Sequence, residues 1–209
     1  MKLSELTALS PLDGRYYQKT SELSQYFSEY ALIKYRLIME VSYFKALTQL
    51  DIAPLNHFPK SGTKKLDSIV DGFDLKAARR IKTLEKTTNH DVKAVEYYLK
   101  EQFSKLGLSK YQEFIHFALT SQDINNTAIP LSLKDAHSDI VLPAFKQLLS
   151  SLRKMSRRWA KVPMLAHTHG QPASPTRLGK EIAVYISRLE LQIKQLNHIP
   201  VSYTHLRAH

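Results

Sequence analysis

Apolar residues recur at steps of three and four along most of the chain, the spacing that places them on one face of an α-helix. Such series run over residues 23–47, 66–84 and 92–106, and Gly107 then stands where a helix C-cap is expected. Only 6 of the 209 residues are glycine, too few for an architecture built from many tight strand turns. The pattern therefore predicts an all-α fold.

Two later series follow a near-heptad spacing and predict longer helices. They comprise Val141, Phe145, Leu148, Leu152, Met155 and Trp159, and then Leu178, Ile182, Tyr185, Leu189, Ile193 and Leu196. This spacing is typical of helices that pack lengthwise in bundles. Pro163 is expected to end the first of these helices. Gly170, Pro172 and Pro175 are expected to hold an irregular stretch before the second.

The charge of the chain is unevenly distributed. It carries 30 lysine and arginine residues against 19 aspartate and glutamate residues, and the last 59 residues hold ten of the basic and only two of the acidic ones. A nucleic-acid surface, a site for an anionic small molecule, or balancing acids in a further part of the protein would each account for the imbalance. Because no basic run exceeds two residues, nucleic acid is the least favoured of the three.

Cysteine is absent, which excludes disulfides, thiolate catalysis and cysteine-ligated metals. The N-terminal residues contain no apolar run of the length that a signal peptide needs. No window approaches the ~20 apolar residues of a membrane span. These features predict a cytoplasmic protein without a membrane partner.

Two polar clusters in the first half of the chain interrupt the helical pattern. In residues 10–16, a loop fixed by proline and glycine presents Arg15 and Tyr16, which suit a phosphate or carboxylate; a solvated turn is the alternative. In residues 87–91, Asn89 is a natural helix N-cap, and His90 would then lie near the positive end of a helix, where an anion is favoured.

Two further clusters follow. Residues 120–126 are dense in hydroxyls and amides that suit carboxylate oxygens, with a polar cap as the alternative. Residues 167–173 contain His167 and His169 ahead of Gly170 and Pro172. Two histidines without a third ligand are a weak metal signal, so no metal is predicted, and a general acid or base histidine in a fixed loop is the favoured interpretation.

Four runs carry a resemblance to a known family. They are SPLDGRY at 10–16, KTTNHDVKAVEYYLK at 86–100, EFIHFALTSQDINN at 113–126 and THGQPASPTRLGKE at 168–181. Together they resemble the bacterial adenylosuccinate lyases of the aspartase/fumarase superfamily. The resemblance implies elimination of fumarate from adenylosuccinate, giving AMP, and from the succinylcarboxamide ribotide of purine synthesis. It implies acid/base cleavage of a carbon–nitrogen bond without a cofactor, and association into homotetramers.

The resemblance also implies roles for individual residues. His169 corresponds to the family's proton donor to the leaving nitrogen, and His90 lies at the same site as a second catalytic candidate. Substrate-binding roles are implied for Arg15, Tyr16, Asn89, His90, Asp91, Thr120 and Ser121. The remaining histidines, His116 among them, are expected to be core or surface residues. For domains, we expect a small helical domain over 1–110 and a partial central helical-bundle domain over 111–199.

The chain also departs from the family pattern. The family's base is a serine in a run of the form S-S-x-M-P-x-K-x-N-P, and no such run occurs in these residues. The last ten residues, 200–209, do not resemble the family and are expected to be a non-native tail. We therefore expect an N-terminal fragment that is inactive alone. A non-catalytic truncated helical protein and another lyase of the superfamily, such as argininosuccinate lyase, remain as alternatives.

Overall fold

Residues 8–197 are described by a computed structural model, and most of them are helical. The predicted all-α class is confirmed, with a small two-stranded sheet as the exception. The helices and strands are α1 (Tyr17–Thr20), α2 (Ser24–Phe27), α3 (Glu29–Leu47), α4 (Lys60–Asp71), α5 (Leu75–Thr88), α6 (Asp91–Lys105), α7 (Ser121–Ala136), α8 (Leu142–Arg158), β1 (Pro163–Thr168), β2 (Gln171–Arg177) and α9 (Leu178–Asn197). Short 3₁₀ helices lie at Ser21–Leu23, Leu55–His57 and Ser109–Phe114, and His137–Val141 forms a turn of π-helix.

Local side-chain contacts fix several helix ends. Ser28 accepts a hydrogen bond from the backbone N–H of Ala31 at the start of α3, and Asp74 accepts one from Ala77 at the start of α5. Each contact satisfies a backbone donor that the helix itself leaves unpaired. At the other end of a helix, Gly107 follows α6 with a positive φ of 71°, in agreement with the C-cap expected there.

The chain divides into two compact units between Asp135 and Ala136. In the first unit, helices α3 to α6 and the 3₁₀ helix Ser109–Phe114 enclose one apolar core. Its largest fully buried side chains include Phe44, Phe103 and Leu99, and the Phe44 and Phe103 rings meet edge to face with centroids 4.9 Å apart. The domain ranges expected from the sequence, with a boundary at about residue 110, stay a prediction.

The second unit contains the pair α8 and α9 joined through a hairpin. The two helices approach closely at Gly179, whose backbone N–H donates to the Trp159 carbonyl while its own carbonyl accepts from Ser156 Oγ at 2.7 Å. A Cβ at residue 179 would lie 2.7 Å from the backbone nitrogen of Ala160. Only glycine fits this crossing without displacing the backbone of α8.

The stretch expected to be irregular between α8 and α9 is an antiparallel hairpin of β1 and β2, which corrects the sequence-based prediction. Pro163 pairs with Arg177 and Thr168 pairs with Gln171, with an irregularity between Leu165 and His167. Prolines are tolerated here because both strands of a two-stranded ribbon are edges. The predicted tail at 200–209 lies outside the described residues. Among residues 8–197, no helix combines the length and apolarity of a membrane span.

Candidate functional site

Two of the four polar clusters meet in the first unit. The imidazole Nε2 of His90 lies 3.3 Å from Ser121 Oγ, although the two residues are 31 positions apart. Asn89 has a φ of 51° and ends α5 in the left-handed region, and His90 then adopts an extended conformation as the N-cap of α6. The expectation that Asn89 is the N-cap was therefore wrong by one residue, because Asn89 takes the positive φ that the helix-to-helix turn requires.

The ring of His90 is oriented by its own helix. Its Nδ1 accepts a hydrogen bond from the backbone N–H of Lys93 at 3.3 Å, which is the capping contact of α6. This contact requires a lone pair on Nδ1, so the neutral ring carries its proton on Nε2 and donates toward Ser121 Oγ. His90 therefore presents Nε2 to the site and is nearly half exposed, with 48% of its side chain accessible.

Thr120 and Ser121 differ in how freely they can bind a ligand. The backbone N–H and the Oγ1 hydroxyl of Thr120 both donate to Asp123 Oδ2, at 2.7 and 2.8 Å. These two hydrogen bonds lower the pKa of Asp123 below its ordinary value. The hydroxyl proton of Thr120 is thus committed within the protein, whereas Ser121 Oγ can accept from His90 and donate its own proton to a ligand.

Asp91 is tied to a residue that the sequence analysis missed. Arg36, on α3, contacts Asp91 Oδ2 through Nη2 at 2.6 Å, and Asp91 Oδ1 accepts from the Val92 N–H at 2.8 Å. Partial burial alone would raise the pKa of Asp91, but the Val92 hydrogen bond and the Arg36 charge outweigh it, so the pKa of Asp91 is lowered. Asp91 is therefore an ionised anchor for the start of α6 rather than a free ligand group.

A second missed group lies at His116, which was expected to be an ordinary core or surface residue. Its Nδ1 is 2.6 Å from Oε1 of Glu40, whose side chain is fully buried, and its Nε2 is 3.8 Å from Oε1 of the buried Glu96. Burial opposes protonation of His116, but the hydrogen bond and charge of Glu40 outweigh it and raise the pKa of His116. Burial likewise raises the pKa of Glu40, and the His116 hydrogen bond offsets this only in part.

The signal for these missed residues was present in the sequence. Arg36 and Glu40 stand four residues apart within the series 23–47, at positions that a helix turns toward its buried face. A charged pair on an apolar face indicates a buried polar network, since charged side chains are rarely buried unless they are paired. His116 itself has a φ of 60° and begins the chain reversal that precedes Thr120.

The end of α5 and the start of α6 border an open cavity of about 590 Å³, lined by Lys82, Glu85, Lys86, Asn89, His90 and Asp91. Lys82 is neutralised by Glu29 and Glu85, at 3.0 and 2.6 Å. Among the residues that the structure describes, Lys86 makes no ion pair. A free lysine beside the Nε2 donor of His90 makes this cavity suitable for an anion.

Arg15 and Tyr16 lie apart from these contacts. The Arg15 guanidinium carbon stands 5.4 Å from the centroid of the Tyr16 ring, and both side chains are exposed. Gly14 beside them is buried, which fixes the turn. Within residues 8–197, the two side chains interact only with each other, so their predicted place beside His90 stays a prediction.

His169 is described within the second unit. It forms the tip of the hairpin with Gly170, and both have a positive φ, 53° and 76°, as in the two-residue turns that connect twisted antiparallel strands. His167 instead lies within β1, opposite Pro172. Positive φ is uncommon for a residue other than glycine and concentrates at functional sites. Both imidazoles are exposed, but His169 lies at the turn and His167 lies within a strand.

Comparison with known proteins gives the family context. The model of a family described as lyase matches residues 14–208. An adenylosuccinate lyase of Dictyostelium discoideum is 51% identical over 98% of this chain, and one of Escherichia coli K12 is 45% identical over 96% of it. The chain spans 44% of the length of each of these relatives.

Solved structures extend the likeness to the fold. A fumarate lyase from Mesorhizobium sp. BNC1 superposes with a TM-score of 0.70 over 86% of this chain and 40% of its own, at 20% identity. A β-carboxy-cis,cis-muconate cycloisomerase from Acinetobacter calcoaceticus sp. ADP1 gives a TM-score of 0.64 with the same coverage, at 24% identity. At these identities the likeness establishes a shared fold and nothing finer.

Proposed function

Because the chain belongs to this lyase family, we propose that it forms part of an enzyme that eliminates fumarate from adenylosuccinate and releases AMP. Relatives that match nearly the whole chain at 45% and 51% identity bear the name adenylosuccinate lyase. The observation that carries the proposal is the meeting of His90 and Ser121 beside a cavity with a free lysine. Adenylosuccinate bears a phosphate and two carboxylates, so a site rich in donors and cations suits it. The same chemistry extends the proposal to the succinylcarboxamide ribotide.

The proposed reaction removes a proton from the carbon next to a carboxylate and breaks the adjacent carbon–nitrogen bond. The electron pair of the C–H bond forms the double bond of fumarate, and the nitrogen leaves with the pair of the C–N bond. We assign His169 as the acid that protonates this nitrogen. Histidine is the side chain most often used for proton transfer of this kind, and the hairpin turn exposes the His169 ring.

Negative charge builds up on the carboxylate as the proton leaves, and fixed donors lower the energy of that state. We assign Ser121 and His90 to binding of the succinyl portion, because their side chains meet at 3.3 Å and His90 lines the cavity. We assign Arg15 and Tyr16 to substrate binding at the same site. We also assign Asn89, Asp91 and Thr120 to substrate binding. Asn89 lines the cavity, and Asp91 and Thr120 hold the site in shape through contacts within the protein.

The base is not assigned to a residue of this chain, because the serine run expected for it does not occur in these 209 residues. The proposed activity is accordingly that of the whole protein, which we propose to be a cytoplasmic homotetramer that needs no cofactor and binds neither nucleic acid nor membrane. The 209-residue chain alone is expected not to release fumarate.

Fumarate release by the purified full-length gene product tests the proposal. Adenylosuccinate should be cleaved with a kcat/KM at least ~10³-fold above that for argininosuccinate, because the two substrates differ in the whole leaving group. Preference for argininosuccinate would assign the chain to the other lyase. Absence of turnover with both substrates by a folded protein would overturn the proposal in favour of a non-catalytic role.

A further inference from the structure

Few charged side chains are buried among residues 8–197. The buried polar and charged residues among 8–197 are Arg36, Glu40, Glu96 and Ser132. Arg36 and Glu40 lie on α3 and Glu96 lies on α6, beneath the segments that carry His90 and Ser121. Burying a charge is costly unless the charge is paired. The partners of these buried residues therefore show which segments they hold in place.

Arg36 contacts both of those segments at once. Its Nη2 lies 2.6 Å from Asp91 Oδ2 at the start of α6, and its Nε donates to Asn125 Oδ1 at 2.8 Å in the first turns of α7. Asp91 adjoins His90 in the sequence. Asn125 lies one helical turn after Ser121, so it moves with the start of α7.

The Arg36 guanidinium joins these segments from the buried side, through Asp91 and Asn125. On the opposite, solvent-facing side they meet through the 3.3 Å contact between His90 and Ser121, and both of those side chains are accessible. A planar guanidinium holds its donors at fixed angles, whereas an ammonium is a single point that rotates on a flexible stem. The distance between the two acceptors therefore depends on arginine and not on positive charge alone.

We propose that Arg36 is a positioning residue that sets the placement of His90 relative to Ser121. The kinetic part of this inference rests on the proposed function, and the structural part does not. Arg36 does not line the cavity beside His90, so its effect on a ligand is transmitted through Asp91 and Asn125.

The variant Arg36→Met separates this role from a role in folding. Methionine is of similar length and apolar, so it fills the buried space without a charge. The change does not leave Asp91 as a buried unpaired charge, because 44% of its side chain is exposed to water and it still accepts the hydrogen bond from the Val92 N–H. The matched control is Arg80→Met, because Arg80 also pairs with a carboxylate of α6, Glu101, but at the surface.

Kinetics of the full-length protein with adenylosuccinate give the first readout. Arg36→Met should lower kcat/KM about 10²-fold, the usual consequence of misplaced site groups. Arg80→Met should stay within about threefold of wild type, with both variants melting cooperatively. In a His90→Ala background, Arg36→Met should lower kcat/KM by no more than about threefold, because the His90 side chain that it positions is already absent.

Three results would overturn the proposal. They are near-wild-type kcat/KM in folded Arg36→Met, a fully additive loss in the His90→Ala background, and an equal loss in Arg80→Met. If Arg36→Met fails to fold, the same cycle is run with Arg36→Lys, which keeps the charge but not the two-acceptor geometry and should lose about tenfold. Full activity of folded Arg36→Lys would equally contradict the proposal.

Amide hydrogen exchange tests the positioning role of Arg36 without requiring enzymatic activity, so the inference and the proposed function can fail independently. If the wild-type protein releases no fumarate, the proposed function fails, and the positioning role is decided by exchange alone. Arg36→Met should then accelerate exchange in both segments, 89–93 and 120–126, while Arg80→Met should leave both unchanged. Exchange that is unaltered in these segments, or accelerated throughout the first unit, would contradict a positioning role.

Discussion

Apolar side chains recur at the same helical spacing in both units of the chain, but the first unit buries far more of them than the second. Helices α3 to α6 of the first unit enclose a continuous core of fully buried leucine, isoleucine and phenylalanine side chains. From Ala136 to Asn197, Leu149 is the only large apolar side chain that is buried, while Leu148, Tyr185 and Leu191 stay exposed. Periodicity therefore predicts which face of a helix is apolar, but not whether this chain supplies the partner that covers it.

The difference extends to polar groups. The first unit buries Arg36 in contact with Asp91, and it buries Glu40 and Glu96 in a cluster with His116, so contacts fix the geometry of these groups. The second unit carries its candidate residue, His169, on an exposed turn held by two strands. One unit thus positions its polar groups by burial, and the other presents an imidazole that depends on hairpin geometry alone.

The largest effect is predicted for the exposed turn of the second unit. In the full-length protein, His169→Ala should lower kcat for adenylosuccinate by about 10²–10⁴, the usual worth of one general acid. The matched control is His167→Ala, since His167 lies two residues earlier within β1. Circular dichroism should show both variants folded. A folded His169→Ala protein within about threefold of wild-type kcat would remove His169 from the acid role and leave His90 as the candidate.

The unequal burial itself predicts association. The 209-residue chain should sediment as oligomers, because apolar faces of α8 and α9 are exposed. The double variant Leu148→Lys with Leu191→Lys should shift most of the protein to monomer, whereas Leu50→Lys, at an exposed apolar position of the first unit, should not. A monodisperse, cooperatively melting wild-type monomer in sedimentation velocity and thermal scans would contradict the contrast between the units.

A smaller effect is predicted where α8 and α9 pack closely at Gly179, in contrast to the exposed faces of the same helices. Gly179→Ala places a methyl group against the backbone of Ser156 and Ala160, so it should lower the free energy of unfolding by about 1–3 kcal/mol. Ser187→Ala, on an exposed position of the same helix, is the control. Denaturant melts of the full-length protein give the measurement. Equal stability of the two variants would show that α8 and α9 do not cross as described.

The smallest effect concerns the buried ionisable cluster of the first unit. The pKa of His116 is raised above 6.5, so its stabilising contribution is complete below about pH 6.5 and is lost as pH rises through the folded-state value. The charged groups that interact with His116 are Glu40, Glu96, Lys93 and Asp123. The raised pKa of Glu40 changes stability in the same direction with pH.

His116→Asn tests this pH dependence, since asparagine tolerates the positive φ at residue 116. The difference in Tm between wild type and His116→Asn should narrow by a few degrees as pH rises from about 6 to about 9. His57→Asn, at an exposed histidine of the same unit, should show no such narrowing. A Tm difference that stays constant or widens over this range would mean that His116 is not stabilised in its charged form.

Most helices could be predicted from the sequence because apolar residues recur at steps of three and four in each of them. This spacing is present whether the apolar face is buried, as in α3 to α6, or exposed, as in α8 and α9. The hairpin was missed because Pro172 and Pro175 interrupt the alternation of apolar and polar residues that marks a strand. Proline is tolerated in an edge strand, but the sequence alone does not show that β1 and β2 pair as edges. For the site, polar clusters identified His90 and Ser121, but not their contact across 31 positions. Arg36 was missed because its charge suggests a surface position, although its spacing within the series 23–47 places it on the buried face of α3.

The most direct measurement of the central claim is the change in amide exchange when adenylosuccinate binds. The full-length His169→Ala protein is used because its slow turnover keeps the substrate intact. Our account predicts slower exchange at residues 89–92 and 120–123, with residues 60–71 of α4 unchanged, because the first two segments meet through His90 and Ser121. Saturating substrate that leaves exchange in both segments unchanged would contradict the claim that they form the substrate site.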